Sequence, residues 1–307
     1  MNELHNDTMP LLSVCMVTYN QENWISNAID GVLLQETTFS IELVIADDCS
    51  TDETLKVVEE YQRKYPKLIK IIKNPKNLGL DGNFSNALNH CSGKYIAICE
   101  GDDYWTFNQK LQTQFDYMQS NPDIVLTSHN NSKLFVETNT LSSKYKHHKD
   151  FRFDQNYLLH DWVTQPVTCV FRNVIKDYVS LYRDGIFCDV ILFYELLKHG
   201  DGFFFKDDWA IFRVSKNALS SGLNEFKWSD NHIIMFDNLL KYNKEDSRLK
   251  KLISNYHLIL IVYSLKNKKN GNITFTQACK HYFSNESDIS NLFKTLFLRL
   301  PYYFIKY

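Results

Sequence analysis

The chain has 307 residues, 44% of them hydrophobic and 14% aromatic, with a formal net charge of −2; that suffices for one large domain, or one domain and a smaller companion, around a sizeable core. So small a charge argues against nucleic acid as the main partner. No apolar run approaches the roughly 18–20 residues that a membrane-spanning helix needs.

The charge is unevenly spread. Residues 216–307 carry twice as many basic as acidic residues, and residues 1–215 an acidic excess, so two regions with different surroundings are expected. Seven scattered cysteines without a CxxC pair read as buried, reduced thiols. The opening MNELHNDTMP lacks the apolar core of a signal peptide, and a cytoplasmic placement is expected.

Leu11–Thr18 is a short apolar run and reads as a buried strand. Asn20 is expected to cap a helix from Gln21 to about Leu34, striped by Trp24, Ile25, Ala28, Ile29, Val32 and Leu33. Ile41–Ala46 is a second strand with Asp47-Asp48 at its end, and Ser50-Thr51-Asp52-Glu53 has the form of a capping box opening a helix to about Tyr65. Leu68–Lys73 is a third strand, Asn74–Gly82 a loop, and a short helix carries Phe84, Ala87 and Leu88. Tyr95–Cys99 is apolar throughout, a strand buried on both faces that runs into Glu100, Gly101, Asp102 and Asp103. Gly101 is read as a turn that leaves room for a ligand.

Strand and helix thus alternate four times in about 100 residues, which implies a parallel sheet with helices on both faces. Ligands bind beyond the carboxyl ends of the strands in such sheets. Thr18-Tyr19-Asn20, Asp47-Asp48 and Glu100–Asp103 all fall on that edge. Carboxylates grouped there repel one another unless a positive charge joins them. The natural partner is a hard divalent cation with a preference for oxygen, Mg²⁺ or Mn²⁺. Further on, Asn108–Ser120 reads as a helix, Ile124–Thr127 as a strand, Glu137–Asp150 as a mobile loop and Trp162–Phe171 as extended chain. A helix follows Gly185, with Asp189 near its start and Gly200 as its C-cap, then short strands at Phe203–Phe205 and Trp209–Val214. The pattern is helical beyond Ser215. Leu252, Tyr256, Ile259, Leu260 and Tyr263 form one stripe, and the tail LFKTLFLRLPYYFIKY is apolar, aromatic and basic.

SVCMVTYN, ELVIADDCSTDET, NLG and GKYIAICEGDDYW, in that order, resemble the inverting family 2 glycosyltransferases of the GT-A fold, over about residues 11–215. The resemblance implies an α/β, Rossmann-like, mostly parallel sheet with helices on both faces. It gives an N-terminal tail (1–10), a catalytic domain (11–215) and a helical C-terminal region (216–307). It implies an enzyme that moves a hexosyl or N-acetylhexosaminyl group from a nucleotide-sugar donor, a UDP-sugar by analogy, to a hydroxyl of a glycan or lipid-linked acceptor in surface polysaccharide synthesis. Thr18, Tyr19 and Asp48 would hold the nucleobase, with Asn20 and Asp47 beside them. The loop bearing Asn77 and Gly79 would cover the nucleotide. Asp103 would ligate Mn²⁺ or Mg²⁺, and Asp102 would lie near the ribose and the donor sugar. Asp189 in IFCDVILFYELL matches the family's catalytic carboxylate better than Glu195 or Asp184.

One departure stands out: Ser215 occupies the place where many relatives carry a His near the diphosphate or metal. A catalytically inactive sugar-nucleotide binder therefore stays open, as does a nucleotidyltransferase, although VTYNQEN lacks the Gly-rich basic loop a triphosphate would ask for. A phosphoacceptor signalling domain, which ELVIADDCS also resembles, would be far shorter. Several neighbours have plainer readings: Asp47 as the cap of the helix at Ser50, Asp207-Asp208 as a solvated turn, His129 as a satisfied structural histidine, His147-His148 as solvent-facing and Cys188 as packing. Arg213 pairs with either a phosphate or a local acid. The basic aromatic tail suits either an anionic membrane surface or the face of the catalytic domain.

Overall fold

The computed structural model describes residues 10–143, 145–178, 188–216, 225–253 and residue 256. The chain divides into two compact units, Met1–Arg183 with Phe187–Ala218, and Asp184–Ile186 with Leu219–Tyr307.

The first unit is built on one mixed sheet. β1 (Leu12–Thr18) and β4 (Tyr95–Ile98) are buried at every position, as unbroken apolar strands covered on both faces should be. β2 (Ile41–Asp47) pairs in parallel with β1 from Leu12↔Ile41 to Thr18↔Asp47, and β3 (Ile69–Lys73) pairs in parallel with β2. The chain then crosses back, and β4 joins the far side of β1, again in parallel. The remaining strands are β5 (Tyr104–Trp105), β6 (Ile124–Phe135), β7 (Thr140–Ser142), β8 (Phe151–Phe153), β9 (Val170–Arg172) and β10 (Asp201–Val214). The strand order is β3-β2-β1-β4-β9-β6-β10-β5, with β7 on β6 and β8 on β10. The winding reverses between β1 and β4, and a crevice opens outside their carboxyl ends at such a switch point.

The helices are α1 (Ile25–Leu33), α2 (Thr54–Lys64), α3 (Gly79–Asn89), α4 (Lys110–Ser120), α5 (Gln155–His160) and α6 (Cys188–Leu196). α1 turns Ile25, Ala28, Ile29 and Val32 inward, the expected stripe. With Val14, Met16, Leu43, Ile45, Tyr95, Ala97 and Leu111 they form the main core.

Both helix starts next to the crevice differ from the sequence expectation. α1 begins at Ile25, not Gln21, and α2 at Thr54 with no side-chain cap. The residues expected to cap them tie two loops together instead. The Ser50 hydroxyl accepts from the Asn20 amide at 3.0 Å, and Asn20 Oδ1 accepts from the Thr51 amide at 2.8 Å. Asp52 accepts from the amides of Glu22 and Thr54. Asn20 and Cys49 take left-handed backbone angles, φ 52° and 61°, in these same loops.

The other half of the sheet is more regular than expected. The strand expected over Ile124–Thr127 runs on to Phe135, and the two short strands expected near its partner are one, β10. The pairing slips at Phe205/Asp208 and Asp208/Ile211, which is how a long strand accommodates an inward polar residue. The polar stretch after Glu137 contains β7, and Pro166 opens a 3₁₀ turn over Pro166–Thr168 within the segment expected to be extended.

In the second unit, α7 (Glu225–Tyr242) buries Ile233, Met235, Phe236 and Leu239, and the His232 and Tyr256 rings stack at 4.8 Å. The rest of the stripe beyond Tyr256, and the aromatic tail, lie outside the described residues. No helix among the described residues is long and apolar enough to cross a membrane.

Candidate active site

The first wall of the crevice is the paired end of β1 and β2. Thr18 is buried; its carbonyl accepts from the Asp48 amide at 3.0 Å, and its hydroxyl donates to Gln21 Oε1 at 2.7 Å. Tyr19 is exposed beside it. Asp48 is buried and fully engaged: Oδ1 accepts from Asn74 Nδ2 (2.9 Å) and the Leu78 amide (2.8 Å), and Oδ2 from the Gly79 amide (2.9 Å). Asp48 thus pins the loop of Asn77 and Gly79 against β2. Gly79 sits at φ +74°, where a side chain would be strained, and Asn77 Oδ1 also accepts from its amide. Buried asparagines support this corner from behind. Asn74 donates to Asn83 Oδ1, and Asn83 donates to the Ala46 carbonyl. Asp47 Oδ2 accepts from the Ser50 amide at 3.0 Å, but within a loop: α2 begins only at Thr54, so Asp47 is not the helix cap of its plainer reading. Its Oδ1 is buried without a partner.

The second wall is the loop after β4. Its amides continue the ladder along β1: Cys99 donates to the Cys15 carbonyl and Gly101 to the Val17 carbonyl. A Cβ at Gly101 would stand 2.4 Å from Gln21 Oε1 and 3.0 Å from Thr18 Oγ1. Gly101 is thus required by close packing against the first wall, which corrects its reading as room for a ligand. Asp102, the next residue, shares a side-chain hydrogen bond with Gln21.

Asp103 is fully buried. Oδ1 accepts from the Arg213 amide at 2.8 Å, and Oδ2 has no partner. Burial, and then the charges of Asp102 and Glu100, push its carboxyl well above the usual range. Glu100 is pushed up to about 8 by burial, Asp102 and Asp189. Asp102 is also raised, chiefly by burial. Burial raises all three acids, Asp102 adds to the rise of both Glu100 and Asp103, and the nearby Arg213 only partly offsets it at Asp102 and Asp103.

Among the described residues no group of three or more His, Cys, Asp or Glu is arranged to cage a metal ion. The donor set still fits Mg²⁺ or Mn²⁺ as these ions sit on nucleotides, held by one or two carboxylates and by the substrate's phosphates. Asp103 Oδ2 is the free buried oxygen for that bond, with Asp102 next to it. Ser215 offers nothing there, since its hydroxyl and the Lys216 amide both bond the Glu137 carboxylate.

The third wall is α6, packed against α3 and β6. Asp189 lies in its first turn, half-buried, and accepts from the Val190 amide at 3.0 Å. Burial pushes its carboxyl up to about 6, with Asp81 of α3 adding to the rise. It is close enough to Glu100 to raise that residue's pKa in turn. Asp189 thus interacts electrostatically with Glu100 and with Asp81 at the start of α3. Glu195 points elsewhere, ion-paired with Lys198, and Asp184 lies outside the described residues, as does the Cys188 side chain.

Three more of the plainer readings are corrected. Asp208 is not a solvated turn: its carboxylate accepts from the Ser132 amide and hydroxyl and from Tyr145 Oη. His147 is packed among Phe151, Phe204 and Tyr157, 3.2 Å from Asp161. His129 is buried against Trp209, but only Nδ1 is bonded, to the Asn130 carbonyl, and Nε2 is left without a partner. Sequence reasoning passed over Gln21, Asn27, Asn74 and Asn83. They are polar residues on segments read only by their apolar stripe or their loop composition.

The comparisons agree with this geometry. The profile of "Glycosyl transferase family 2" matches residues 13–178, more than half of the chain. An uncharacterized protein of Mycobacterium tuberculosis is 42% identical over 118 residues, 38% of this chain and 34% of its own length. The UDP-Glc:alpha-D-GlcNAc-diphosphoundecaprenol beta-1,3-glucosyltransferase WfgD of Escherichia coli is 38% identical over 111 residues, 36% of this chain and 42% of its own. The chain thus spans well under half the length of these relatives. Among solved structures, TarS 1–349 of S. aureus in complex with UDP superposes with a TM-score of 0.63 at 17% identity, covering 89% of this chain and 80% of its own; at that identity the likeness speaks for the fold, which is that of the GT-A transferases. On the length of the profile match, with its motifs set along the crevice, the chain belongs to glycosyl transferase family 2.

Proposed function

We propose that the chain is an inverting glycosyltransferase. It moves a sugar from a UDP-sugar to a hydroxyl of a glycan or lipid-linked acceptor, in the synthesis of a surface polysaccharide. The observation that carries the reading is the buried, unpartnered Oδ2 of Asp103 on the loop after β4, supported by Asp189, whose charge acts on Glu100 of that same loop. UDP as the nucleotide draws support from the names of relatives, WfgD with UDP-Glc and the TarS complexes with UDP and UDP-GlcNAc.

In this reading Thr18, Tyr19, Asn20, Asp47 and Asp48 bind the nucleoside, and the Asn77–Gly79 loop lies over it. Asp102 and Asp103 face the diphosphate. A divalent cation bound there supplies a Lewis acid for the departing phosphates. Asp189 accepts the proton of the acceptor hydroxyl as its oxygen bonds to the anomeric carbon. The bond from that carbon to the diphosphate breaks on the opposite side, so the centre inverts. The alternative of an inactive sugar-nucleotide binder rests on Ser215, committed to Glu137. Release of UDP from UDP-sugars in the presence of acceptor separates the two.

Calorimetry tests the donor side. Wild-type protein should bind UDP more tightly with Mn²⁺ than with a chelator, and Asp103→Ala should lose that difference. Equal affinities for the wild type under both conditions overturn the metal assignment. A cytoplasmic, membrane-peripheral position through the basic aromatic C-terminus belongs to the same proposal. Failure to float with anionic liposomes would remove it.

A further inference from the structure

The acid loop has an anchor that the transfer chemistry does not itself require. β10 pairs antiparallel with β5 through Ala210↔Trp105 and Ile211↔Tyr104. Continuing that register sets Arg213 opposite Asp102, the residue where the loop leaves the crevice. Arg213 uses this place fully. Its amide donates to Asp103 Oδ1 at 2.8 Å. Its guanidinium donates through Nη1 to the Asp102 carbonyl at 2.5 Å and through Nη2 to Asn27 Oδ1 at 2.8 Å. The guanidinium also lies 4.6 Å from the centroid of the Tyr104 ring.

Resting on the transferase reading, we propose that Arg213 is a positioning residue: with Asn27 and Tyr104 it clamps the Asp102–Asp103 backbone so that Asp103 Oδ2 is presented to a cation bound on the donor's diphosphate. The key feature is where the guanidinium points. It puts positive charge beside three crowded acids, yet the hydrogen bonds it donates to this loop go to a backbone carbonyl. Asp103 Oδ2 stays unpartnered. A counter-charge that neutralised Asp103 directly would compete with the metal; this one braces the loop and leaves the ligand oxygen open. The planar fork matters as much as the charge. It bridges α1 and the acid loop while stacked on an aromatic ring, which an ammonium on a flexible stem does not reproduce.

The test is the ratio of UDP affinity with Mn²⁺ to that with a chelator, measured by calorimetry for the wild type, Arg213→Lys, Arg213→Met and Asn27→Ala. A general loss of structure lowers both affinities and leaves the ratio. Loss of the clamp lowers the ratio. We expect it to fall about tenfold in Arg213→Met and nearly as far in Arg213→Lys, and about threefold in Asn27→Ala, which keeps the charge and releases one anchor. A ratio unchanged in both Arg213 variants overturns the clamp, and full rescue by Lys overturns its geometric basis in favour of charge alone. Should the Arg213 variants fail to fold, Asn27→Ala decides: a lowered ratio supports the clamp and an unchanged one overturns it. A wild type that binds neither UDP nor GDP overturns the transferase reading itself, and the clamp with it.

Discussion

Beyond the carboxyl ends of β1 and β2, polar side chains spend their hydrogen bonds on the backbone of neighbouring loops. Asp48 takes the amides of Leu78 and Gly79, Asp47 that of Ser50, and Asn20 that of Thr51. Across β6 and β10 the polar groups lie inside instead. Lys110 and Gln114 of α4 are fully buried beneath the sheet with Thr127 and His129. Gln114 Nε2 donates to Thr127 Oγ1 and to the Thr168 carbonyl. The difference teaches how the labour is divided. The loops beyond β1 and β2 are short and bonded to one another. β6 and β10 are long, bulged strands over a buried polar layer, where small changes in packing move their neighbours.

Substitution on each side should break different quantities. Asp189→Asn should lower kcat by about 10²–10⁴-fold, the usual contribution of a general base, while UDP binds as before. Unchanged turnover would discard Asp189 as the base. In the wild type, kcat should fall as pH drops through about 6, where burial holds this carboxyl, because the protonated acid cannot accept the hydroxyl's proton. Asp48→Ala should do the reverse. It strands the Leu78 amide and one hydrogen of Asn74 Nδ2, while the Gly79 amide keeps Asn77 Oδ1; two such groups, at the lower end of about 1–3 kcal/mol each, should cost about 2–4 kcal/mol of stability. It should also weaken UDP binding and, with saturating donor, leave kcat within a few-fold. Urea unfolding and donor-saturation kinetics read both. If Asp48→Ala lowers kcat as strongly as Asp189→Asn, the two sides are not separable.

The same contrast governed what the residues told in advance. β1 and β4 were legible because strands buried on both faces are unbroken apolar runs, β2 and β3 because they repeat the strand–helix spacing beside them, and the acids fell on one edge by topology alone. The helix starts beside them were misplaced by a few residues. Ser50, Asp52 and Asn20 have capping chemistry, but each has a partner about 30 residues away, Asp52 in addition to the nearby Thr54 amide, and local pattern cannot foresee a distant partner. β6 and β10 were read short for a different reason. Their outer parts carry Asn130, Ser132, Lys206 and Asp208 where a strand is expected to alternate, and only the pairing of the two strands makes that tolerable. Arg213 was left between a phosphate and a local acid; its guanidinium chose a carbonyl and an amide oxygen.

The buried layer beneath β6 offers the finest test of the contrast, because one group in it titrates in an accessible range. Lys110 Nζ bonds Gln114 Oε1 at 2.7 Å and lies 4.4 Å from the Trp105 ring centroid. Burial brings its pKa down to about 7. Its titratable neighbours stay neutral around it: His129 is pushed well below its usual value by burial and then by Lys110, and burial pushes Cys99 and Cys169 upward. In the unfolded chain Lys110 titrates near 10.4. Between about pH 7 and 10 the unfolded chain therefore binds one more proton than the folded one, and stability rises with pH in that window. Below about pH 7 the folded lysine is charged as well, and the cost of burying the charge is complete. Relative to Lys110→Met, the wild type should gain about 1.4 kcal/mol per pH unit from pH 7 to 9 in urea unfolding. The comparison of slopes cancels the loss of the Gln114 bond, which is the same at each pH. A flat difference would mean that Lys110 keeps its ordinary pKa, and the polar layer would then be open to water.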